Sequence, residues 1–508
     1  MRRVAVAGAG PAGAYFAYLL AGLRPELIID LYEPRTSVPG AGVVLEQRVL
    51  DVHRQLFAGL DSQMRRWNKV RVQVGVSHIV SGGHDIVGLG RSVLLNRLMR
   101  LIGQRPNIHI VPERLARTPP EYDLVVAADG AYSTMRSLGD FGTQLHLGRS
   151  HYLWLSTPAR LPAMFALFSL QQGTLVVHAY PHSTGHSTLV LEADPAALAV
   201  EGLDRADLPS LEHQLAHLLH DLLDGESVRL HTYPWRPFTS IHNRRWRDGK
   251  IILIGDAAHS MHFSAGMGTE LALADASCLA NAIATGKPGQ YEIRRRELTW
   301  QAELDARASR TWFEQLAQYQ GPIGHHTVFA LRTRRNVNSF ASLRLRDPAF
   351  VAAVMAELVT DSGLPPASPG AEPSHLPISI GPLLVHRRVV STDMEKRTVP
   401  RRPILRFCRK AGHVVLTDTQ AAAETVARGA LVTDIAAPAQ EWQGADFIAV
   451  PSQPFSSRVL RTELAAAVRR RTGLPVLLLD PCPPDLDEVN TLIAARRIDL
   501  YAHLDALP

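Results

Sequence analysis

The chain opens on a short apolar run, Val4-Ala5-Val6-Ala7, of the length of a buried strand. Small and apolar residues at helical length follow from Ala12 to Leu23, and Leu27 to Tyr32 reads as a second buried strand ending at Glu33. Between 66 and 90, Val70, Val72, Val74 and Val76 alternate with polar residues, the period of a sheet with one buried face. A short helix is expected from Leu94 to Ile102, and Asp123 to Ala128 is another buried strand that ends in Asp129-Gly130. Residues 151–240 are rich in strand-forming runs such as Thr174–Val177 and Ser187–Leu191, broken by one helical stretch near 206–223. Lys250 to Ile254 is a further buried strand leading into Gly255-Asp256, and from Thr269 to near Leu358 the pattern is mostly helical. Within that stretch Arg332 to Arg335 reads as a solvated helical face.

The proline-rich segment Gly363 to Pro373 is the clearest linker. Beyond it, strands are expected at Val414–Leu416, Phe447–Val450 and Val476–Leu479, and helices at Ala421–Arg428 and Leu460–Arg471.

At 508 residues, 46% of them hydrophobic, the chain is long enough for more than one domain and for a sizeable core. Three widely spaced cysteines, Cys278, Cys408 and Cys482, form no metal-ligand pattern, so no metal site is expected. They suit a reduced, cytoplasmic setting. The two arginines at the start are followed at once by glycines and a proline, which argues against a signal peptide. No apolar run approaches the roughly 18 residues of a membrane span. The net charge of +6 comes from scattered basic residues. That pattern fits steering of an anionic small molecule better than nucleic acid, and neither nucleic acid nor a membrane is expected as a partner.

Gly8-Ala9-Gly10-Pro11-Ala12-Gly13 is weak as a motif alone, but here it follows a strand, opens a helix and is followed by Glu33 at the end of the second strand. Gly8 permits the tight turn, Gly10 lets backbone approach a pyrophosphate at the helix N-terminus, and Gly13 allows close helix–strand packing. Glu33 can accept from ribose hydroxyls and disfavours a 2′-phosphate, which points to FAD or NAD. A second signal, Gly255-Asp256-Ala-Ala-His259, puts a carboxylate at a strand end; Gly266, Met267 and Gly268 then open a helix whose free N–H groups suit an anion such as the reduced flavin ring.

The set resembles the class A flavoprotein aromatic hydroxylases, the para-hydroxybenzoate hydroxylase type, over residues 3–355. Asp129-Gly130, with Ser133 and Arg136 after it, resembles that family's DG fingerprint, and Gly255-Asp256 its GD fingerprint. The resemblance implies that Asp256 contacts the ribityl or ribose part of FAD and that Arg91, Asp129 and Gly130 lie near the pyrophosphate. It further implies that Gly42, Val43 and Val44 run beside the flavin ring. Gly40 stands where the reference member has an arginine. His262-Phe263-Ser264, in place of the proline pair of many members, is similar to a subgroup with salicylyl-CoA 5-hydroxylase, 2-aminobenzoyl-CoA monooxygenase and the violacein-pathway hydroxylase. Phe263 and Ser264 are then candidates for substrate contact. His262 is the candidate base for ionising a substrate hydroxyl. The tail, with Pro377–Val390 and Val489–Leu500, resembles a truncated barrel of the Old Yellow Enzyme type and is expected to be non-catalytic.

The expected fold class is α/β. A Rossmann-like FAD-binding domain (1–65, 91–145 and 246–290, with Ala12 among its cofactor contacts) is interleaved with a mostly β substrate domain (66–90 and 146–245). A helical segment (291–360), a linker (361–376) and a small αβ C-terminal domain (377–508) follow. With one dinucleotide fingerprint only, NADPH or NADH has no Rossmann domain of its own and would visit transiently. The resemblance implies hydroxylation of an electron-rich aromatic or heteroaromatic ring by molecular oxygen through a flavin C4a-hydroperoxide, in natural-product tailoring or aromatic acyl-CoA metabolism, by a homo-oligomer. An epoxidase or other flavoprotein oxidoreductase and a non-catalytic flavin-binding assembly protein are the alternatives.

Overall fold

The computed structural model describes residues 1–34, 41–183, 185–316, 323–335, 337–363, 371–385, 388–390, 404–408, 413–417, 426–431, 444–451, 458–480 and 485–503. Gly40, part of the expected linker (364–370) and most of the expected helix Ala421–Arg428 lie outside these residues. The chain forms two compact units, Met1–Val80 with His84–Pro322, and Ser81–Gly83 with Ile323–Pro508.

The first unit is built on two large sheets. In one, Ile251–Leu253, Leu124–Ala127, Arg3–Ala7, Ile28–Tyr32 and Ile108–Val111 lie side by side and parallel, with Arg247–Asp248 antiparallel at the edge. Strands covered on both faces read as unbroken apolar runs, and Val4 to Val6 are fully buried. The helix Pro11–Leu23 packs against the helix Gly268–Ala284, so the two glycine-bearing motifs of the sequence open neighbouring helices.

Asp30, on the second of these strands, is buried and accepts from Arg3 Nε at 2.6 Å and Tyr122 Oη at 2.8 Å. Burial alone would raise its pKa, but these partners and His109 hold it below the ordinary value. Its contribution to stability is therefore present above the ordinary carboxylate range and lost as pH falls through the depressed value. Asp30→Asn is expected to flatten the acid limb of the urea-midpoint profile below about pH 4; an unchanged limb would mean that other carboxylates govern it.

The second sheet has eight strands, with Arg229–Leu230, Thr143–Thr157, Ser187–Ala193, Thr174–Pro181, Met164–Ser169, Val70–Val74 and Ser77–Ser81 in that order, and Arg236–Asn243 paired to Thr143–Thr157. Its two faces differ, as the period of two requires. Leu153, Leu155, Leu189, Leu191, Leu175 and Val177 point one way and form a core with Leu211 and Leu215 of the helix Leu208–Leu218. Tyr152, Trp154, Glu192 and His178 alternate with them and point the other way. A small antiparallel sheet of Gly42–Glu46, Ile86–Gly90 and Met64–Trp67 completes this unit, so Ile86–Gly90 pairs with the strand after the first βαβ segment.

The second unit combines the helices His325–Arg332, Phe340–Arg346 and Pro348–Ser362 with a seven-stranded sheet in the order Val389–Val390, Leu500–His503, Val476–Asp480, Phe447–Pro451, Val426–Leu431, His413–Thr417, Ile404–Cys408. The first five are mutually parallel and the last two antiparallel. Phe447, Ala449, Leu477 and Leu479 face the hairpin residues Ile380 and Leu383, whereas Ile448, Val450, Val476 and Leu478 face Val468 and Leu492 of two helices.

Two expectations need correction here. Val426 to Arg428 lie in a strand, because pairing with His413–Thr417 outweighs the helical preference of the alanine-rich run before them. Arg332 is not solvated: it is 6% exposed and donates from Nη1 to Gly82 O at 2.7 Å. Burial lowers its pKa to about 10. None of the described helices is long and apolar enough to cross a membrane.

Candidate active site

The first strand of the parallel sheet delivers the chain to Gly8, whose φ of +94° and the 2.5 Å that a β-carbon there would keep from Ala128 O both demand glycine. A β-carbon on Gly13 would overlap Gly8 O. Gly10 differs: it caps the helix Pro11–Leu23, that helix has neither a side-chain cap nor an acidic residue in its first turn, and a β-carbon on Gly10 would meet open space. Free N–H groups at a helix start beside open space fit a pyrophosphate, so the residues present suit the dinucleotide that the motif implies. Glu33 accepts from Ala9 N at 2.9 Å, which sets its carboxylate at the lip of this turn.

The DG fingerprint holds itself together. Asp129 accepts from Thr134 N at 2.7 Å, Met135 N at 3.1 Å and the Ser133 hydroxyl, so its carboxylate caps the turn before Arg136. Arg136 donates to Ala131 O and Ala257 O, tying this turn to the GD fingerprint. Gly130 has φ +84° and open space at its missing side chain.

At the GD turn, Gly255 has φ +59°, and a β-carbon on it would come within 2.9 Å of Ala12 Cβ; that contact explains why the first helix starts with small residues. Asp256 keeps contact with solvent although protein surrounds it on most sides. That surrounding raises its pKa, while His259 and Arg91 draw it down. Beneath the turn, Asp275 accepts from Gly255 N at 3.0 Å, His259 Nε2 at 2.7 Å and Arg295 Nε at 2.8 Å, all three of these side chains being buried. These contacts lower the pKa of Asp275 and raise that of His259, against the effect of burial on each. Gly266 has φ +67°, and Gly266 and Gly268 both face open space at the start of the helix Gly268–Ala284, with Met267 between them.

Gly42 stands at one end of the small sheet. It donates its N–H to Thr188 Oγ1 at 2.7 Å and accepts from Tyr180 Oη at 2.9 Å, and a β-carbon on it would strike the His182 ring. Its polar backbone is thus taken up by the eight-stranded sheet; Val43 and Val44 continue in the strand. Arg91 opens the helix Arg91–Ile102 and donates its N–H to Ala41 O.

The His262-Phe263-Ser264 turn lies against the polar face of the eight-stranded sheet. Phe263 meets Tyr152, Trp154, Phe238 and His178 at ring-centroid distances of 5.2, 6.3, 5.8 and 5.6 Å. Under this aromatic cluster sits Glu192, 1% exposed. It accepts from His178 Nε2 at 2.7 Å and is bridged to His262 Nε2 at 3.2 Å. Burial would raise its pKa, yet His262 and His178 hold it down to about 2. His262 Nδ1 lies 2.8 Å from Ser264 Oγ, and Ser264 Oγ 2.8 Å from Ser309 Oγ on the helix Gln290–Leu316. The sequence reading included His262 and Ser264 but missed Glu192 and His178. A charged residue inside the fully buried strand Ser187–Ala193, directly after the apolar run Leu189 to Leu191, was the available signal.

Comparison with known proteins agrees with this geometry. Residues 120–303 match the family described as FAD binding domain. The chain is 31% identical over 378 residues to a salicyloyl-CoA 5-hydroxylase of Streptomyces sp, covering 69% of this chain and 72% of that protein. It is 32% identical over 329 residues to a 3-hydroxy-4-methyl-anthranilyl-[aryl-carrier protein] 5-monooxygenase of Streptosporangium sibiricum, covering 62% of this chain and 90% of that protein. In fold it is similar to the tetrameric form of 2-methyl-3-hydroxypyridine-5-carboxylic acid oxygenase, with a TM-score of 0.51 at 20% identity over 62% of this chain and 91% of the other. The chain belongs to the class A FAD-dependent aromatic hydroxylases.

Proposed function

We propose that this monooxygenase hydroxylates the ring of an aromatic acid, free or held as a thioester, and that the face built by Tyr152, Trp154, Phe238 and Phe263 receives that ring. The observation that carries the reading is this aromatic cluster set directly against the turn that follows the GD fingerprint. Trp154 Nε1 and Arg236 Nε are buried there without an acceptor. Two unsatisfied donors beside aromatic rings support a substrate with a carboxylate or thioester carbonyl next to its ring. The names of the relatives, which speak of salicyloyl-CoA and of an anthranilyl group on an aryl-carrier protein, point the same way.

Gly8, Gly10, Ala12, Gly13, Glu33, Arg91, Asp129, Gly130, Gly255 and Asp256 would hold the dinucleotide part of FAD. Val43, Val44, Gly266, Met267 and Gly268 would border its ring, with Gly42 acting as an anchor. The bound flavin, reduced by NADPH or NADH, supplies the activated oxygen. The protein's part is to exclude water with the phenyl rings, orient the substrate and ionise its hydroxyl, which raises electron density in the ring. The proposed layout is a FAD-binding domain (1–65, 91–145 and 246–290), a β-rich substrate domain (66–90 and 146–245), a helical segment (291–360) and a small αβ tail that serves assembly into a homo-oligomer.

Purified protein is expected to release about one FAD per chain on heating and no FMN, which a chromatogram of the released flavin shows. Salicylate or anthranilate thioesters are expected to stimulate oxygen-dependent NADPH or NADH oxidation and to gain one oxygen by mass. FMN beside FAD would make the tail a working flavin domain, and stimulation without a gain in mass would remove the hydroxylase reading.

A further inference from the structure

Five side chains form one unbroken chain of polar contacts across the inner face of the substrate sheet. His178 Nε2 meets Glu192 Oε2 at 2.7 Å, Glu192 Oε1 meets His262 Nε2 at 3.2 Å, His262 Nδ1 meets Ser264 Oγ at 2.8 Å, and Ser264 Oγ meets Ser309 Oγ at 2.8 Å. All five are buried, with exposures of 7%, 1%, 4%, 8% and 0% along the chain. They come from four separate elements: two strands, the turn after the GD fingerprint and the helix Gln290–Leu316.

A buried carboxylate is stable only with a compensating charge. One imidazolium is enough for Glu192, yet two imidazoles bracket it. Several charged groups on the surrounding elements have other partners. Arg236 lies over the ring of Tyr152, which stands directly across the strand pair from Glu192; on the long helix Glu303 pairs with His242 and Arg310 with Glu314. The unit therefore has room for a second proton, and the net charge it would then carry is positive, the sign that suits a newly formed phenolate.

We propose that Ser264, His262, Glu192 and His178 form the relay that takes the hydroxyl proton of a phenolic substrate. This rests on the hydroxylase reading and assigns its base. The substrate O–H bond breaks toward Ser264 Oγ while Ser264 passes its own hydrogen to His262 Nδ1, and the electron pair stays on the phenolate oxygen. A new N–H bond forms on His262, which becomes an imidazolium facing Glu192. His178 holds the other oxygen of Glu192, and Ser309 holds the Ser264 hydroxyl in line. Glu192 and His178 are positioning residues: they set how strongly His262 holds the proton without touching the substrate.

The test uses the FAD-loaded enzyme. para-Nitrophenol, whose ionised form absorbs in the visible, is expected to ionise on binding to the wild type. Its apparent pKa should be at least about one unit higher in Glu192→Gln, a tenfold loss of ionised probe. Ser264→Ala leaves Glu192 and both imidazoles in place, yet ionisation of the probe should be lost; this variant carries the test if Glu192→Gln does not fold. Equal ionisation in all three proteins, or no ionisation in the wild type, would each overturn the relay. Failure of the hydroxylase reading looks different, since no aromatic acid would then stimulate oxygen-dependent NADPH or NADH oxidation.

Discussion

Asp275→Ala is expected to lose about 3–5 kcal/mol of stability, because it leaves the buried Arg295 guanidinium without its counter-charge and the His259 imidazole without its acceptor. Asp275 is fully buried, and His259 and Arg295 are 3% and 7% exposed. Neither side chain is open to water, and Arg295 Nη2 is already a buried donor with no acceptor. The same carboxylate holds Gly255 N, so the variant also frees the turn that carries Asp256 and should weaken FAD binding. Asp275→Asn keeps the shape and the acceptor for Gly255, so it separates the loss of charge from the loss of the turn. The pair also sets a pH window. The contribution of His259, whose pKa is raised, is complete below about pH 6.5 and is lost as pH rises through its folded value. The contribution of Asp275, whose pKa is lowered, is complete above about pH 4 and is lost as pH falls through its folded value. Urea midpoints across this range measure both limbs. A loss under about 1 kcal/mol for Asp275→Ala would show that the cluster relaxes to water.

The second large effect separates two glycines of one motif. In Gly13→Ala the new methyl group overlaps backbone, Gly8 O, that cannot turn aside. Overpacking of this kind costs about 1–3 kcal/mol and displaces the turn, so both the melting temperature and FAD affinity should fall, the affinity on the order of tenfold to hundredfold. In Gly10→Ala the methyl group meets open space, so the apoprotein should melt within a degree or two of wild type. That space is where a pyrophosphate would lie against the helix start, so FAD affinity alone should fall. Flavin fluorescence titration and thermal melting of the apoprotein give the two readings. If Gly10→Ala binds FAD like wild type, the phosphates do not approach this turn.

What the sequence made legible follows the range of the interactions involved. The strand–turn–helix at Gly8 to Gly13 and the turn at Gly255-Asp256 are set by neighbours in the chain, so glycine spacing and an apolar run suffice to place them. His262 and Ser264 were legible because they lie in that same short stretch. Glu192 and His178 were not, since their meaning depends on strand register: His178 stands opposite Val190, two residues before Glu192. A shift of one residue would have sent both to the outer, leucine-rich face. Arg332 was misread for a similar reason, because a helical arginine looks solvated until the carbonyl that receives it, Gly82 O, arrives from 250 residues away in the chain. Val426 to Arg428 were misread because their pairing with Val415 to Thr417 is invisible to local propensity.

In the seven-stranded sheet, Leu500–His503 is the last described strand in chain order yet has a partner on each side, Val389–Val390 and Val476–Asp480. During synthesis the ribosome therefore delivers a central piece of this sheet late. Until it emerges, the edges of Val389–Val390 and Val476–Asp480 stay unpaired, and both are apolar strands of the kind that recruit other chains. A premature stop before Leu500 would leave a nascent protein with its parallel sheet of the first unit complete and this one open, a natural substrate for chaperones and proteases.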